Sequence, residues 1–288
     1  MWKEVDAIIS KSIGRPFQTD QRVAVGGGCI NEAFRISSSR DAFFVKRHHA
    51  SMAGMFESEF EALSQMDATK TVRVPKPVGW GVAAGYAWLV TEFLDLTSCQ
   101  GVSQQELGKQ LAHLHLKRQP HFGWLRDNTV GSTPQPNPPT SDWIDFWREH
   151  RLGWQFELAH QKGGTFSGSQ PLLDVLDVFF EEYEPSPSLL HGDLWSGNMA
   201  ALGNGMPVVF DPASYFGDAE AEFGIIDMFG GFADAFYKGY ASVRPFDEGF
   251  QIRRHLYRLY HELNHFNLFG SSYATSCEST ITRLLRMV

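Results

Sequence analysis

The pattern of apolar positions divides the chain into a strand-rich first third and a largely helical remainder. Apolar residues over 1–13 have the spacing of an amphipathic helix, and those over 52–66 have the spacing of a second one. Two apolar runs around Ala83-Ala84-Gly85 predict a hairpin. From residue 103 onward, helical spacing returns over 107–114, 143–154, 172–180 and 250–269. The segment 131–139, rich in proline, is expected to be neither helix nor sheet.

These elements predict an α+β protein with two lobes. The first or upper lobe, residues 1–94, holds a small antiparallel sheet, and the second or lower lobe, residues 95–288, is larger and mainly helical. A chain of 288 residues with 43% hydrophobic content can bury a core of that size. No internal repeat interrupts the pattern.

Charge and cysteine content exclude several classes of protein. The formal net charge of −8 argues against a nucleic-acid partner. Acidic residues follow Trp2 where an export signal would have basic ones, so we expect no export signal. The lack of a long apolar run also argues against a membrane span. The three cysteines form no even disulfide set, which fits a reducing compartment. We therefore expect a cytosolic protein with a small-molecule or protein partner rather than nucleic acid or membrane.

The segment His191-Gly192-Asp193-Leu194-Trp195-Ser196-Gly197-Asn198 is the most informative motif. Its Asp193 and Asn198 have the H-x-D-x-x-x-x-N spacing of a kinase catalytic loop, in which the aspartate orients the acceptor hydroxyl and the asparagine holds Mg²⁺. A second carboxylate, Asp211, ends an apolar run that starts at Pro207. The three side chains predict phosphoryl transfer, because the transferred group needs a metal to neutralise its charge.

Upstream residues complete the set that a kinase needs. A glycine turn, Gly26-Gly27-Gly28, separates two apolar runs and lets backbone amides approach phosphate oxygens. The predicted strand 43–46 ends in Lys46. On the following helix, Glu57 and Glu59 are the candidates to pair with this lysine and hold it against the α- and β-phosphates of ATP. Each feature alone is common, but their order along the chain favours a kinase.

These residues resemble the fructosamine kinase (ketosamine 3-kinase) family, which is related to aminoglycoside and choline phosphotransferases. The resemblance covers nearly the whole chain, and Trp195 together with DPAS after the strand is its most specific part. Matching segments are GGGCIN (26–31), FVK (44–46), MFESE (55–59), RVPKP (73–77), TEFLDL (91–96), LAHLH (111–115), DNTVGSTPQPN (127–137), HGDLWSGN (191–198), DPASYFGDAEAEFGIIDMFGGF (211–232) and LNHFNLFG (263–270).

The resemblance implies a two-lobed protein-kinase-like fold and use of ATP and Mg²⁺. It makes Glu59 the partner of Lys46 and places the adenine-binding hinge at Glu92, Phe93 and Leu94. Asp193 would act on the hydroxyl, with Asn198 and Asp211 as metal ligands. The acceptor would be the 3-hydroxyl of a ketosamine such as a fructosamine or ribulosamine adduct, free or on a protein amine. The alternatives are a phosphotransferase that acts on an aminoglycoside, choline or another amino-alcohol, and a non-catalytic nucleotide-binding scaffold.

Three further positions have two interpretations each. Trp195 either covers the lower core or forms a wall of the sugar site, and Asp218 either contacts substrate or caps the next helix. Cys29, next to the glycines, is a candidate for a redox-sensitive thiol whose oxidation would stop catalysis or link two monomers as a dimer. The alternative is a small residue that fills space.

One motif points to a different chemistry. His261-Glu262-Leu263-Asn264-His265 matches the H-E-x-x-H pattern of zinc proteases. A protease would leave the Asp193 motif unexplained, so we interpret this stretch as polar packing on a late helix.

Overall fold

An antiparallel five-stranded sheet forms the first part of the chain. The computed structural model describes residues 1–26 and 31–288. The strands occur in the order β1-β2-β3-β5-β4, and all neighbours are antiparallel. Their bounds are β1 Gln21–Val25, β2 Glu32–Ser37, β3 Ala42–His49, β4 Pro77–Ala83 and β5 Tyr86–Glu92. This confirms the strands on both sides of the glycine turn and the predicted hairpin.

Two helices cover the two faces of this sheet. Helix α1 (Trp2–Ile13) and helix α2 (Ala53–Thr69) match the two amphipathic patterns of the first third. Side chains of a strand alternate between faces, and β5 shows this clearly. Trp88 and Val90 pack in the cluster under α1, whereas Ala87 and Leu89 join the cluster that contains the apolar side chains of α2.

Helices dominate after β5. They are α3 (Val102–His115), α4 (Trp143–Trp147), α5 (Trp154–Gln161), α6 (Ser169–Asp174), α7 (Phe223–Phe229), α8 (Asp234–Ala241), α9 (Phe250–Phe269) and α10 (Ala274–Leu285). A π-helical segment, Arg148–Gly153, joins α4 to α5. Short 3₁₀ helices lie at 50–52, 176–180, 196–198, 219–222 and 271–273. The α+β class is confirmed, and α9 has the predicted bounds. Within the described ranges, no helix is both long and apolar enough to cross a bilayer.

Short strands in the helical part flank the candidate catalytic residues. Strands β6 (Leu96–Thr97), β10 (Met199–Leu202) and β11 (Pro207–Val209) form a three-stranded sheet, and β9 (Ser188–Leu189) pairs with β12 (Phe216–Gly217). The HGDLWSGN segment links β9 to β10, and Asp211 follows β11. The two chain segments therefore lie side by side.

The expectation that residues 131–139 contain no regular structure is wrong. β7 (Asn128–Val130) pairs with β8 (Thr133–Gln135) in a hairpin that includes Pro134 opposite Thr129. A proline has no N–H to donate, and it is tolerated on an edge strand. Both strands of this two-stranded hairpin are edge strands, so one edge position accommodates Pro134.

Candidate active site

Lys46 connects the two halves of the cleft. Its Nζ atom donates to Oε1 of Glu59 on α2 (2.5 Å) and to Oδ1 of Asp211 (2.7 Å). Burial would lower the pKa of Lys46, but the charges of Asp211 and Glu59 outweigh it and raise that pKa. The lysine is therefore a buried cation that Glu59 and Asp211 hold in place. The other candidate, Glu57, pairs instead with Arg126 at 2.6 Å.

Asp193 and Asn198 bind each other across one tight loop. Nδ2 of Asn198 donates to the carbonyl oxygen of Asp193 (2.8 Å) and to its Oδ2 atom (3.2 Å). Burial and the nearby carboxylates of Asp211 and Glu222 raise the pKa of Asp193 well above the usual range of an aspartate. A carboxyl whose proton affinity is raised in this way suits the acceptance of a hydroxyl proton.

Asp211 follows β11 in an unusual backbone conformation. Its φ angle is +59°, in the left-handed region that side-chain-bearing residues seldom adopt. Its side chain is 47% exposed and points toward Lys46. Strained backbone of this kind often occurs where a residue has to face a ligand.

His191 joins the catalytic loop to the segment that carries Asp211. Its Nε2–H donates to the carbonyl oxygen of Phe210 (3.0 Å), and its Nδ1 atom accepts from the N–H of Asp193 (3.3 Å). The carbonyl can only accept, which assigns the proton to Nε2. Burial lowers the pKa of His191, so the ring is neutral at physiological pH. The histidine fixes both loops by hydrogen bonds and does not need to act as a base.

Glu222, on the turn before α7, is a buried carboxylate that the sequence did not single out. It accepts from the N–H of His191 at Oε2 (2.7 Å) and from the N–H of Gly192 at Oε1 (3.0 Å). His115 lies 3.4 Å away and also contacts the hydroxyl of Tyr240. Burial alone would raise the pKa of Glu222, but the hydrogen bond from His115 and those from the loop backbone lower it. An ionised carboxylate therefore holds the backbone just before Asp193.

The hairpin β7–β8 supports the other side of the site. Nδ2 of Asn128 donates to the carbonyl of Ser214 (2.8 Å), and Nε2 of Gln135 donates to that of Ala213 (3.3 Å). The N–H of Ala213 in turn donates to the carbonyl of His191 at 2.9 Å. Gly192 has a φ angle of +83°, and a Cβ atom there would overlap the Ala213 carbonyl. The catalytic loop and the segment after Asp211 therefore pack backbone to backbone.

Arg151, in the π-helical segment, holds the two residues that directly follow this hairpin. Its side chain is fully buried, and it donates to the carbonyl of Pro136 (2.7 Å) and to Oδ1 of Asn137 (2.7 Å). Its guanidinium lies 4.5 Å from the Phe146 ring and 4.1 Å from that of Tyr215. Within residues 1–26 and 31–288, no carboxylate pairs with it. Carbonyl dipoles and aromatic faces stabilise its charge instead.

Comparison with known proteins assigns the family. The fructosamine kinase family model matches residues 1–287. The chain belongs to the fructosamine kinase family. A probable ketoamine kinase from Synechocystis is 42% identical over 99% of this chain and 97% of its own length. A chloroplastic protein-ribulosamine 3-kinase from Arabidopsis thaliana is 43% identical over 96% and 86%. The crystal structure of a putative fructosamine-3-kinase from Haemophilus somnus superimposes with a TM-score of 0.91, at 27% identity, over 99% of this chain and 98% of that one.

In a member of the fructosamine kinase family, the oxygen atoms of Asn198 and Asp211 are candidate ligands for a metal ion. Asn198 uses its Nδ2 atom on Asp193, and in the described part of the chain no donor contacts its Oδ1 atom. The carboxylate of Asp211 is also partly open to solvent. Hard oxygen ligands of this kind suit Mg²⁺. The residues present therefore fit a magnesium ion held between the catalytic loop and Asp211.

Other predicted site residues differ in how they are placed. The Trp195 ring is partly exposed and contacts Phe229, with ring centroids 5.4 Å apart. Asp218 is fully buried and accepts from the hydroxyls of Tyr183 (2.7 Å) and Tyr257 and from the N–H of Glu220 (3.2 Å). These contacts favour the capping interpretation of Asp218 over direct contact with substrate.

The predicted nucleotide-binding backbone is only partly described. At the hinge, the N–H of Glu92 donates to the carbonyl of Lys76 (2.9 Å), and its carboxylate accepts from Arg73 (2.5 Å). Adenine recognition by Phe93 and Leu94 stays a prediction. Of the glycine turn, Gly26 directly follows β1, whereas Gly27, Gly28 and Cys29 lie outside the described residues. The redox role of Cys29 and a redox-linked dimer also stay predictions.

The H-E-x-x-H stretch lies in α9 in a setting unlike that of a zinc protease. Glu262 accepts from Nε of Arg258 (2.7 Å) and from Oγ of Ser276 (2.7 Å). Nδ1 of His265 lies 2.8 Å from the carbonyl oxygen of His261. Burial and neighbouring positive groups lower the pKa of His261 to about 3. This stretch packs the helix into the lower lobe.

Proposed function

We propose that this protein is an ATP-dependent kinase that phosphorylates the 3-hydroxyl of ketosamines, with Mg²⁺ as cofactor. The observation that carries the proposal is the convergence of Lys46, Glu59, Asp193, Asn198 and Asp211 on one cleft in a member of the fructosamine kinase family. Relatives named ketoamine kinase and protein-ribulosamine 3-kinase support the substrate class. We place the lobe boundary near residue 94 and the activity in the cytosol.

Each residue has a role that its contacts permit. Lys46, fixed by Glu59, binds phosphate oxygens of the nucleotide, and Asn198 and Asp211 hold the metal. Bound Mg²⁺ neutralises charge on the transferred phosphoryl group. Asp193 orients the acceptor hydroxyl and takes its proton as the oxygen bonds to the γ-phosphorus of ATP, while the bond from that phosphorus to the β-phosphate oxygen breaks and ADP leaves. His191 and Glu222 keep the loop in register, so the carboxylate needs no rearrangement to react.

The product explains why such a reaction would be useful. Phosphate is a better leaving group than hydroxide, so a ketosamine that carries a 3-phosphate loses inorganic phosphate by elimination. The remaining adduct then hydrolyses and releases the amine. The proposed role is therefore the repair of glycated amines, on free compounds or on protein side chains.

One experiment tests the proposal. The purified protein is incubated with ATP and Mg²⁺ and with fructose- and ribose-derived ketosamines, an aminoglycoside and choline. Release of ADP is followed together with the mass of each acceptor. We expect phosphorylation of at least one ketosamine, release of its amine on standing, and neither event with Asp193→Asn. Transfer only to the aminoglycoside or choline would replace the substrate class, and binding of ATP without any transfer would favour a non-catalytic scaffold.

A further inference from the structure

Five aromatic rings form a continuous row on the lower lobe. Trp195 contacts Phe229 (centroids 5.4 Å apart), and Phe229 contacts His265 at 5.1 Å. His265 in turn contacts Phe269 at 5.4 Å and Tyr273 at 5.2 Å. The row joins the catalytic loop, helix α7 and the end of α9. We call these five residues the aromatic row.

The inner end of the aromatic row lies within the catalytic loop. The N–H of Trp195 donates to the carbonyl of Asp193 at 3.2 Å. A Cβ atom at Gly197 would overlap the Trp195 ring, so the indole folds back over the loop between Asp193 and Asn198. An acceptor whose hydroxyl reaches Asp193 therefore lies beside the Trp195 ring.

The outer part of the aromatic row is open to solvent. Phe229 is 42% exposed and Phe269 is 64% exposed, and His265 between them is half-buried. Single exposed apolar residues are common, but exposed rings that a half-buried ring joins into one surface next to the catalytic loop mark a binding site. No aspartate or glutamate belongs to the row, so its contacts with a ligand are those of aromatic faces.

A buried glutamine fixes the chain just after Phe229. Gln104 on α3 donates from Nε2 to the carbonyl of Gly231 (3.0 Å) and accepts at Oε1 from the N–H of Ala233 (2.6 Å). Gly231 has a φ angle of +85°, and a Cβ atom there would lie 2.7 Å from Cβ of Ser196 in the catalytic loop. The segment that follows Phe229 therefore packs directly against the catalytic loop. Its bonds to Gln104 hold Phe229 in place before any ligand binds.

The chemistry of a ketosamine indicates what this surface binds. The reacting oxygen is on carbon 3 and the amine nitrogen is on carbon 1, so the nitrogen and its substituent extend away from Asp193. Aromatic faces bind apolar groups and attract cations such as a protonated amine. We propose that the aromatic row binds the apolar substituent on the amine nitrogen of the ketosamine, an inference that rests on the proposed function.

The test compares two ketosamines that share one sugar and differ only at nitrogen. One carries a benzyl group and the other carries hydrogen, and kcat/KM is measured for each with saturating ATP. A well-placed apolar contact changes kcat/KM by about tenfold or more. We expect wild-type protein to prefer the benzyl compound by about that factor, mainly through KM. The preference, expressed as the ratio of the two values, should fall in Phe229→Ala and in Phe269→Ala.

A matched control separates this effect from general loss of an exposed apolar side chain. Leu116, at the end of α3, is 49% exposed and belongs to no ring contact. Leu116→Ala should keep both rates and their ratio. A further variant, Gln104→Ala, should lower the ratio because it releases the loop after Phe229.

Two outcomes overturn the inference, and they are distinct. If wild type phosphorylates both compounds with equal kcat/KM, or if Phe229→Ala and Phe269→Ala slow both in parallel, the aromatic row does not bind the substituent. If wild type phosphorylates neither compound but transfers phosphate to another alcohol, the proposed function itself fails and the assignment fails with it.

Discussion

Nζ of Lys46 lies 2.7 Å from Oδ1 of Asp211, although the two residues are 165 positions apart in sequence. The lysine comes from the sheet, and the aspartate comes from the helical part of the chain. The cation that is expected to meet phosphate oxygens and the carboxylate that is expected to meet the metal therefore bind each other directly. Nucleotide and metal would enter between these two groups.

Replacement of Lys46 by methionine should abolish activity and lower the free energy of unfolding. Glu59 would then be a buried carboxylate without its cation, which costs about 3–5 kcal/mol. Burial already raises the pKa of Glu59 above that of an unfolded chain, and loss of Lys46 raises it further. The folded variant then binds more protons than the unfolded one, so its stability should increase as the pH falls. Thermal melts between about pH 8 and pH 5 measure this trend.

The double variant Lys46→Met with Glu59→Gln is the matched control. It contains neither charge, so most of the stability that Lys46→Met loses should be recovered. The pH dependence of the melting temperature should also disappear, while the kinase remains inactive. A single variant that melts like wild type at every pH would contradict the buried ion pair.

Asp193→Asn should bind ATP but transfer phosphate slowly. The amide keeps the shape of the side chain and loses the proton-accepting charge, so kcat should fall by roughly 10²–10⁴. The raised pKa of Asp193 also places the acid limb of the wild-type pH–rate profile above the ordinary aspartate range, with activity lost as the pH falls. Steady-state rates over pH, with ATP binding measured separately, test both points. Near-normal turnover in the variant would exclude this aspartate as the base.

Glu222→Gln should lower kcat more than it lowers ATP affinity. A glutamine offers only one acceptor oxygen, so one of the two N–H groups of His191 and Gly192 loses its partner. The catalytic loop would then sample other positions. If this raises the activation free energy by about 1.4 kcal/mol or more, kcat falls tenfold or more. Single-turnover rates and nucleotide binding are the measurements.

Glu220→Gln controls for the loss of a buried carboxylate on the same turn. Glu220 accepts from Nε (2.7 Å) and Nη2 (3.1 Å) of Arg253 and, among the residues that the structure describes, forms no hydrogen bond with the catalytic loop. This variant should be less stable and keep its kcat. Equal kinetic losses in the two variants would mean that Glu222 only supports the fold.

Chelation should abolish activity reversibly, with Mg²⁺ or Mn²⁺ restoring it and Zn²⁺ failing to do so. Asp211→Asn should need at least about tenfold more Mg²⁺ for half-maximal rate, because one charged ligand is lost. His261→Ala should show the wild-type Mg²⁺ requirement. Activity that depends on zinc bound near His261 would reverse our interpretation of the H-E-x-x-H stretch.

Arg151→Lys should shift the Mg²⁺ requirement even though Arg151 is remote from the ligands. A lysine cannot span Pro136 and Asn137 and stack on Tyr215 at the same time. The hairpin would hold the segment after Asp211 less firmly, and about tenfold more Mg²⁺ should be needed, a size typical of groups that orient metal ligands. Arg148→Lys, one turn earlier with bonds to Asp145 and Leu173, is the control and should keep the wild-type requirement.

The sequence predicted the residues whose roles follow from local spacing or chain order. Asp193 and Asn198 are five positions apart in one loop, and Lys46 and Glu59 are brought together by a strand followed at once by a helix. Glu222 was missed because its partners are backbone N–H groups 30 and 31 positions away. The only feature of the sequence that indicates its role is the position of this carboxylate between an alanine and a run of apolar residues. A charge at such a position needs a buried partner.

Other parts could not be predicted for the same physical reason. Arg151 looks like an ordinary surface cation in a sequence, because the rings and carbonyls that stabilise it come from distant segments. Pro134 argued against a strand, yet an edge strand of a two-stranded hairpin does not need its N–H. Local propensity is a weak guide where tertiary contacts supply most of the stabilisation.

Helix α2 belongs to the cores of both lobes. Phe56, Leu63 and Met66 lie in the same apolar cluster as the helices of the lower lobe, and Sδ of Met66 accepts from Oγ of Ser214 at 3.8 Å. The lobes are therefore not independent folding units. Residues 1–94 made alone would expose the apolar side chains through which α2 contacts the second lobe and should aggregate, and the complete chain should melt in one cooperative transition. Any movement of one lobe against the other therefore has to repack one of the two apolar surfaces of this helix.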